Sequence, residues 1–530
     1  MGLLTAAGRW IPASFKQRSL RRNVALNWAA AFLAAAVALG TTPLVVRALD
    51  TENYGVWTFL NGLTLYSNLL YVGLGAAFMT RLSDAVGRGD VAVQTRLLGV
   101  ALTLYAGLGT VCFLAAELLS PVVPHLFATP LTPEAQSAAT LTLGLLGVRL
   151  LLMFLNSAFS ALLASHGRWD LVSGIIVITT LARTVGVVWA TYQPAPIVKL
   201  AAVVVLDAAM QLPLLMVACR AVAPSVAMRP VVPARDELRG LYGFGVQAFV
   251  LQVAVLVIAY TDTALIGVLL GASAVTLYAL PLQLVEHSRV VINGITQSLL
   301  PELAAFRARG DMASLKALYL DASRACGALS AFVNVHLVML GPAFLRLWVG
   351  PEIASGSANI LLFLAIGATA SALSTQILTP FYQAFDRQRH LLGVVVAEAL
   401  VNFGLSVWLS RALGVWGVAL ATAVPAAGIT LVLAPRFILP RIGVSLADFV
   451  RRVALPSATL GAACALTQEL LALWVAPTSY AHLALRVAVA GAVAVPVILA
   501  VFPRETWMPL VGRLLPSLAR RLDRQHARPD

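Results

Sequence analysis

Charge is what this chain of 530 residues has least of: Asp, Glu, Lys and Arg together make up 11% of it, and the acids number 23. A soluble domain carries about 25% charged residues and 45–50% apolar ones. Here 60% are hydrophobic and the mean hydropathy is +0.87. That excludes a soluble enzyme, a disordered regulator and a disulfide-rich secreted domain. Cysteine is scarce as well. Cys112, Cys219, Cys326 and Cys464 all fall inside apolar runs, with no metal or disulfide spacing. The seven histidines show no metal-ligand spacing, and there is no glycine-rich phosphate loop. The ten-residue alternation of porin strands is missing too. The loops are too short for a soluble catalytic domain. No catalytic residue, no resident cofactor and no metal are therefore expected.

What the chain has is apolar runs of helical style. A helix needs ~20 apolar residues to cross ~30 Å of hydrocarbon. Fourteen stretches qualify: 24–46, 55–79, 97–119, 138–164, 171–191, 198–219, 241–269, 275–300, 317–340, 356–384, 391–411, 415–434, 453–475 and 483–502. Several hold an internal proline, among them Pro43, Pro213, Pro380 and Pro425, which membrane helices tolerate because neighbours satisfy the freed carbonyl. The expectation is an all-α polytopic membrane protein with about 14 transmembrane helices.

The net charge of +14 and pI of 10.2 would point a soluble protein toward nucleic acid. The basic residues instead alternate between sides. With the N-terminus inside, 28 of the 37 Lys and Arg fall in cytoplasmic segments, four in outer loops and five within spans. That is the positive-inside pattern, and no nucleic-acid partner is expected. The first apolar run exceeds a signal-peptide core and no small-x-small cleavage site follows, so it reads as a span. Both basic tails (1–22 and 504–530) are weakly amphipathic and read either as solvated or as lying on the cytoplasmic leaflet.

Sliding the chain against itself by 221 positions aligns its halves without a gap. Pro121 meets Pro342, Pro130 meets Pro351, Arg168 meets Arg389, and Arg88-Gly89-Asp90 recurs as Arg309-Gly310-Asp311. The first six spans fall on spans seven to twelve. An even number per half makes the repeat parallel, about an axis along the membrane normal. The expected organisation is a basic tail 1–22, a six-helix lobe 23–222, a cytoplasmic linker 223–240, a second six-helix lobe 241–440, two extra C-terminal helices in 441–503 and a basic tail 504–530. Two lobes facing across a cleft suit alternating access.

The stretch Thr41-Thr42-Pro43-Leu44-Val45-Val46-Arg47-Ala48-Leu49-Asp50-Thr51-Glu52-Asn53-Tyr54-Gly55-Val56-Trp57 closes the first span and opens the second. It resembles the signature of the polysaccharide-transport flippases, which include the O-antigen flippases. In that family an Arg, a Leu-Gly pair and a Tyr-Gly pair join the first two helices. Here Asp50 stands where Gly is usual. Tyr260-Thr261-Asp262-Thr263-Ala264-Leu265-Ile266-Gly267, then Leu270-Gly271 and Leu277-Tyr278, form the companion pattern. The resemblance spans roughly 20–440. It implies the fold of the multidrug/oligosaccharidyl-lipid/polysaccharide exporter superfamily, and movement of polyprenyl-diphosphate-linked oligosaccharide to the periplasmic leaflet of the inner (plasma) membrane for O-antigen, capsule or exopolysaccharide. Partners on this reading are that lipid-linked oligosaccharide, membrane lipid, Na+ or H+, and a glycan polymerase with its assembly proteins.

Charge at the bilayer centre costs at least ~2.5–3.5 kcal/mol and needs a reason. Glu286, His287 and Arg289 sit at the middle of span 275–300, where Gln283, Glu286, Asn293 and Gln297 make one polar stripe. Asn61, Thr64 and Asn68 make a milder stripe on the second span, and Asn68 is the repeat partner of Arg289. Arg289 reads as a diphosphate ligand, its planar fork matching phosphate oxygens, or as a packing residue paired with Glu286. The substrate candidates are Arg289, Glu286, Asn68, Asn293 and Arg47; Arg47 reads equally as a snorkelling helix end. Asp262 is the ion-coupling candidate, or else a carboxylate bracing a helix end; Glu398 with Asn402 is a weaker one. Arg149, Arg183 and Asp207 read as an internal ion-pair network. The rival functions are an ion-coupled drug antiporter of the same superfamily, against which span 24–46 has no acid, and a membrane glycan polymerase.

Overall fold

The computed structural model describes residues 13–502 apart from 68, 70–73, 236, 238–245, 386 and 387. Among the described residues there is helix and no strand. In chain order the helices are α1 (Ala13–Leu65), α2 (Leu74–Gly87), α3 (Val91–Leu119), α4 (Pro133–Ser165), α5 (Trp169–Thr191), α6 (Pro196–Val222), α7 (Val246–Leu270), α8 (Ala272–Arg309) and α9 (Met312–Val349). They continue with α10 (Pro351–Leu373), α11 (Thr375–Ala384), α12 (Gln388–Leu413), α13 (Val415–Pro425), α14 (Leu431–Ile438), α15 (Leu446–Phe449), α16 (Leu455–Ala472) and α17 (Tyr480–Val501). The expected spans 24–46, 97–119, 138–164, 171–191, 198–219, 275–300, 317–340 and 391–411 each fall within one of these helices, whereas 55–79 and 241–269 include residues outside the described ones. Eleven described segments are long and apolar enough to cross a membrane. That number takes Leu33–Leu65 as one segment and leaves out α7 and α8, parts of which lie outside the described side chains.

The chain divides into two compact units. Unit 1 is Met1–Val253 with Gly271–Val275; unit 2 is Ala254–Leu270 with Thr276–Asp530. In unit 1, α4 packs against α3 and α6, and α5 against α6 and α1. Leu98, Tyr105, Phe154, Leu162 and Leu163 are buried in its core. In unit 2, α9 packs against α10 and α16, α13 against α12 and α10, and α17 against α16. Large apolar side chains such as Leu118, Val185, Val217 and Trp408 remain exposed, which suits a hydrocarbon solvent.

Three local devices follow from particular residues. α1 is broken at Asp50, whose φ of 61° and ψ of 179° lie in a region almost reserved for glycine. This is the position where the family signature carries Gly. Asp50 offsets the strain by capping the second span: its Oδ1 accepts from the Asn53 N–H at 2.9 Å and its Oδ2 from the Asn53 amide at 2.9 Å. The repeated Arg-Gly-Asp builds the same turn twice. Gly89 and Gly310 take φ of 70° and 68°, and Asp90 and Asp311 cap α3 and α9 by accepting from Val93 N and Ser314 N. A strap, finally, closes unit 1: Val231 N donates to Gly99 O at 3.0 Å, Ala227 N to Thr95 Oγ1 at 3.2 Å, and Arg96 holds Glu237 in a bidentate pair at 2.6 and 3.1 Å.

Candidate substrate and ion site

The polar side chains of α8 lie where helical periodicity puts them. Arg289 Nη1 donates to Glu286 Oε1 at 2.8 Å, an i,i+3 pair. The pair is far from sealed, with side-chain exposures of 34% for Arg289 and 49% for Glu286. Glu286 engages one edge of the guanidinium and leaves donors of its five N–H groups for another acceptor. Asn293, one turn further on, is exposed. Ser288, on the opposite side of α8, is buried and tied to Asn334 of α9 at 3.2 Å, and Asn334 reaches Thr369 of α10 at 2.8 Å. These bonds fix the rotation of α8 and with it the direction in which Arg289 points.

In unit 1 the candidates are less gathered. Arg47 is exposed near the end of the first span. Asn61 and Thr64 turn their side chains onto their own helix, to Trp57 O at 2.8 Å and Asn61 O at 2.7 Å. Asn68 lies outside the described residues. Arg183 does meet Asp207, Nη1 to Oδ2, at 3.5 Å.

Asp262 is the most enclosed acid of unit 2 among the described residues, 2% exposed toward the C-terminal end of α7. Its Oδ2 accepts from Tyr278 Oη at 2.9 Å and from Thr422 Oγ1 at 2.6 Å, and its Oδ1 from Ser406 Oγ at 3.1 Å. Four helices thus converge on one carboxylate: α7, α8, α12 and α13. A proline sets up the far side. Pro425 has no N–H, so Ala421 O loses its helical donor. Asn402 of α12 donates its amide to that oxygen at 3.4 Å and to Thr422 Oγ1 at 3.2 Å. The same Asn402 keeps a buried Oδ1 with no hydrogen-bond partner. Beyond Pro425 the helix runs through a π turn, Ala426–Thr430, a distortion often found at functional sites. The two carboxylate oxygens and the three hydroxyls on them are hard donors of the kind that suit an alkali cation or a proton, not a transition metal. The Thr422 hydroxyl lies within reach of two acceptors, Asp262 Oδ2 at 2.6 Å and Val418 O of its own helix at 3.2 Å.

Sequence reasoning singled out Asp262 and Asn402 as site residues; Tyr278 entered only as part of the companion pattern, and Ser406 and Thr422 not at all. The i,i+4 spacing of Asn402 and Ser406 put both on one face of α12, a signal that was available. Nothing in the sequence says which face of α13 meets it.

The comparisons with known proteins give this geometry its setting. The model of the polysaccharide biosynthesis protein family matches residues 20–306. The chain belongs to that family. It is 24% identical over 406 residues to the uncharacterized membrane protein EpsK of Bacillus subtilis (strain 168), covering 76% of this chain and 79% of EpsK. Its fold is that of a lipid II flippase, MurJ, in an inward closed conformation, with a TM-score of 0.66 and 12% identity over 88% of this chain and 96% of that one. An inward-facing multidrug resistance MATE family transporter of the MOP superfamily superposes with a TM-score of 0.61 and 15% identity, over 78% of this chain and 94% of that one. This member of the polysaccharide biosynthesis family is therefore a multi-pass membrane protein that shares its fold with those transporters.

Proposed function

We propose that this protein is a flippase. It moves polyprenyl-diphosphate-linked oligosaccharide from the cytoplasmic to the outer leaflet of the inner membrane, for assembly of a cell-surface polysaccharide. The reading is carried by one coincidence: membership of a polysaccharide biosynthesis family in a chain whose fold is shared with a lipid II flippase over nearly its whole length. Two lobes in parallel repeat, 23–222 and 241–440, with both termini cytoplasmic, would alternate access to the two leaflets. Arg289, half exposed on α8, offers its free guanidinium edge to the diphosphate, with Asn293 one turn along; Arg47, exposed on α1, is a second candidate for the anion. Asp262 binds the coupling ion, Na+ or H+, and the four helices that hold it carry that event through unit 2.

The test is a deletion strain. Lipid-linked oligosaccharide should accumulate in the cytoplasmic leaflet while surface polysaccharide disappears, and the gene in trans should reverse both. Normal surface polysaccharide with increased drug sensitivity would favour the antiporter reading. Lipid-linked single repeat units accumulating in the outer leaflet would favour a polymerase.

A further inference from the structure

Unit 2 holds a second buried acid, Glu398, to which the transport reading gives no role. It lies on α12, and Asn402, Ser406 and Ser410 follow it at steps of four. That spacing puts the four side chains on one face of the helix. All four are buried, Glu398 to 8% exposure and Asn402 to 1%, whereas Leu400, Val401, Phe403 and Trp408 are exposed. The polar stripe therefore faces protein, and Glu398 stands close to the middle of the span 391–411.

The hydrogen bonds along this stripe have a fixed direction. Ala421 O can only accept, so the Asn402 group that meets it is the amide N–H. Thr422 Oγ1 accepts from the same amide at 3.2 Å and donates to Asp262 Oδ2 at 2.6 Å. With its amide hydrogens placed, Asn402 presents Oδ1 as a buried acceptor that no donor meets. Such an acceptor is costly to leave unmade. Ser406, one turn toward the C-terminus, donates to Asp262 Oδ1 at 3.1 Å instead. Glu398 is the polar neighbour one turn toward the N-terminus. As a carboxylate it would set oxygen against oxygen; as a carboxylic acid it has an O–H to give. A charge at this depth is costly as well, and the neutral acid avoids that cost. The titratable and charged groups on the elements around Glu398 are Tyr260 and Asp262 on α7, Tyr382 on α11 and Arg436 on α14, with Arg389, His390 and Arg411 toward the two ends of α12; α13 and the π turn carry none. Of these, Asp262 is tied to the stripe, through Ser406 and through Thr422 and Asn402.

We propose that Glu398 is a second ion site of unit 2, one that holds a proton: the carboxylate takes up H+ from water, and the acid so formed donates its O–H to Asn402 Oδ1. Its link to transport rests on the reading of Asp262 as the site of the coupling ion. Three hydrogen bonds in series then join the two acids, Glu398 to Asn402, Asn402 to Thr422 and Thr422 to Asp262. Glu398 keeps its proton through neutral pH and gives it up at alkaline pH. Each acid senses the charge of the other. Eight residues of helix put Glu398 about 12 Å from Ser406. Charges at about that separation, at an effective dielectric constant of about 20, alter each other's binding about tenfold. A cation on Asp262 therefore favours release of the proton from Glu398, and a proton on Glu398 weakens the hold of Asp262 on the cation.

The test uses the purified full-length protein and two measurements. Infrared spectra at neutral pH record the carbonyl stretch of a protonated carboxylic acid, which carboxylates and amides lack, and exposed acids are ionised there. The wild-type spectrum should hold such a band that is lost in Glu398→Gln and persists in Asp262→Asn. Glu398→Gln should fold, because its amide N–H can replace the acid O–H toward Asn402. The second measurement is sodium affinity, read by thermal shift in sodium chloride against choline chloride. Wild type and Glu398→Gln should agree at neutral pH; at alkaline pH, where the wild-type carboxyl is charged, wild type should bind sodium about tenfold more tightly than the variant. A wild-type spectrum that Glu398→Gln leaves unchanged, or a Glu398→Gln protein that does not fold, overturns the proton site. Equal sodium affinity in the two proteins at every pH overturns its link to Asp262. A wild type indifferent to sodium at every pH rejects sodium as the ion at Asp262, and the infrared band still decides for or against Glu398.

Discussion

Replacing Asp262 with Asn changes one atom and separates coupling from folding. In the native site a buried carboxylate stands against three hydroxyls, with no cationic group among the described partners. Burying such a charge costs several kcal/mol. Three hydrogen bonds to a charged acceptor, at about 1.5–3 kcal/mol each, return roughly 5–9 kcal/mol. The charged state is therefore close to balanced, and a cation or proton tips it. Asn removes the burial cost and reduces the hydrogen bonds to about 0.5–1.5 kcal/mol each, one of them facing the wrong end of the amide. Fold stability should stay within about 2 kcal/mol of wild type by that arithmetic. Ion linkage should vanish. A ligand at a hundredfold over its dissociation constant adds about 2.7 kcal/mol to the folded state. Thermal unfolding of the purified protein in sodium chloride and in choline chloride, at matched ionic strength and across pH, reads this directly. Wild type should gain stability with sodium, or with falling pH if the proton is the coupling ion; Asp262→Asn should be flat to both and inactive in export. A wild type indifferent to both ions, or a variant that keeps the full response, would refute the reasoning.

Arg289→Ala should abolish export with protein abundance unchanged, and Arg289→Lys should retain part of it, because charge remains while the bidentate fork is lost. Glu286→Gln should preserve folded protein, since the pair is half exposed; loss of folded protein would make Arg289 structural. At Asp50, Gly should be neutral or stabilising, trading a strain of about 1–3 kcal/mol for a cap worth about 1 kcal/mol, whereas Ala keeps the strain, loses the cap and should cost about 1 kcal/mol in a melt. Gly99→Ala should free the strap, because a Cβ there would sit 2.5 Å from Val231 Cγ2 and 2.6 Å from Arg229 O. Faster proteolysis at 226–235 is the expected readout, and unchanged cleavage would count against the strap. The Arg96 guanidinium and the Ala234 N–H hold the Glu237 carboxyl below its usual range, so the strap's ionic clamp is complete at neutral pH and is lost as pH falls through and below the ordinary glutamate range. Cleavage at 226–235 should rise in that acidic window.

How much of this was legible in the sequence depends on the range of the physics involved. The spans are written in local hydropathy, and the repeated Arg-Gly-Asp turns in two residue types that encode a left-handed glycine and an N-cap. Glu286 and Arg289 are three residues apart on one helix, so their pairing follows from periodicity alone. The partners of Asp262 stand 16, 144 and 160 residues away, and no local pattern chooses among the many hydroxyls of a membrane helix bundle. Arg486 shows the same limit. Its sequence neighbours offer no partner, yet it is buried and donates from Nε to Gln468 Oε1 at 2.9 Å, while the Gln468 amide returns a bond to Arg486 O at 3.1 Å, stapling α16 to α17. The Gly at the family's turn is absent from the sequence, but the backbone it would serve is still present in Asp50.

The most direct test of the central claim is lipid translocation in vesicles. Purified protein is reconstituted with fluorescent polyprenyl-diphosphate oligosaccharide, and the fraction protected from an external quencher or glycosidase is followed over time. The account predicts movement between leaflets that requires Arg289, responds to a sodium or proton gradient through Asp262, and fails with a polyprenol lacking the diphosphate. Protein-independent exchange, or equal rates in wild type and Arg289→Ala, would contradict it.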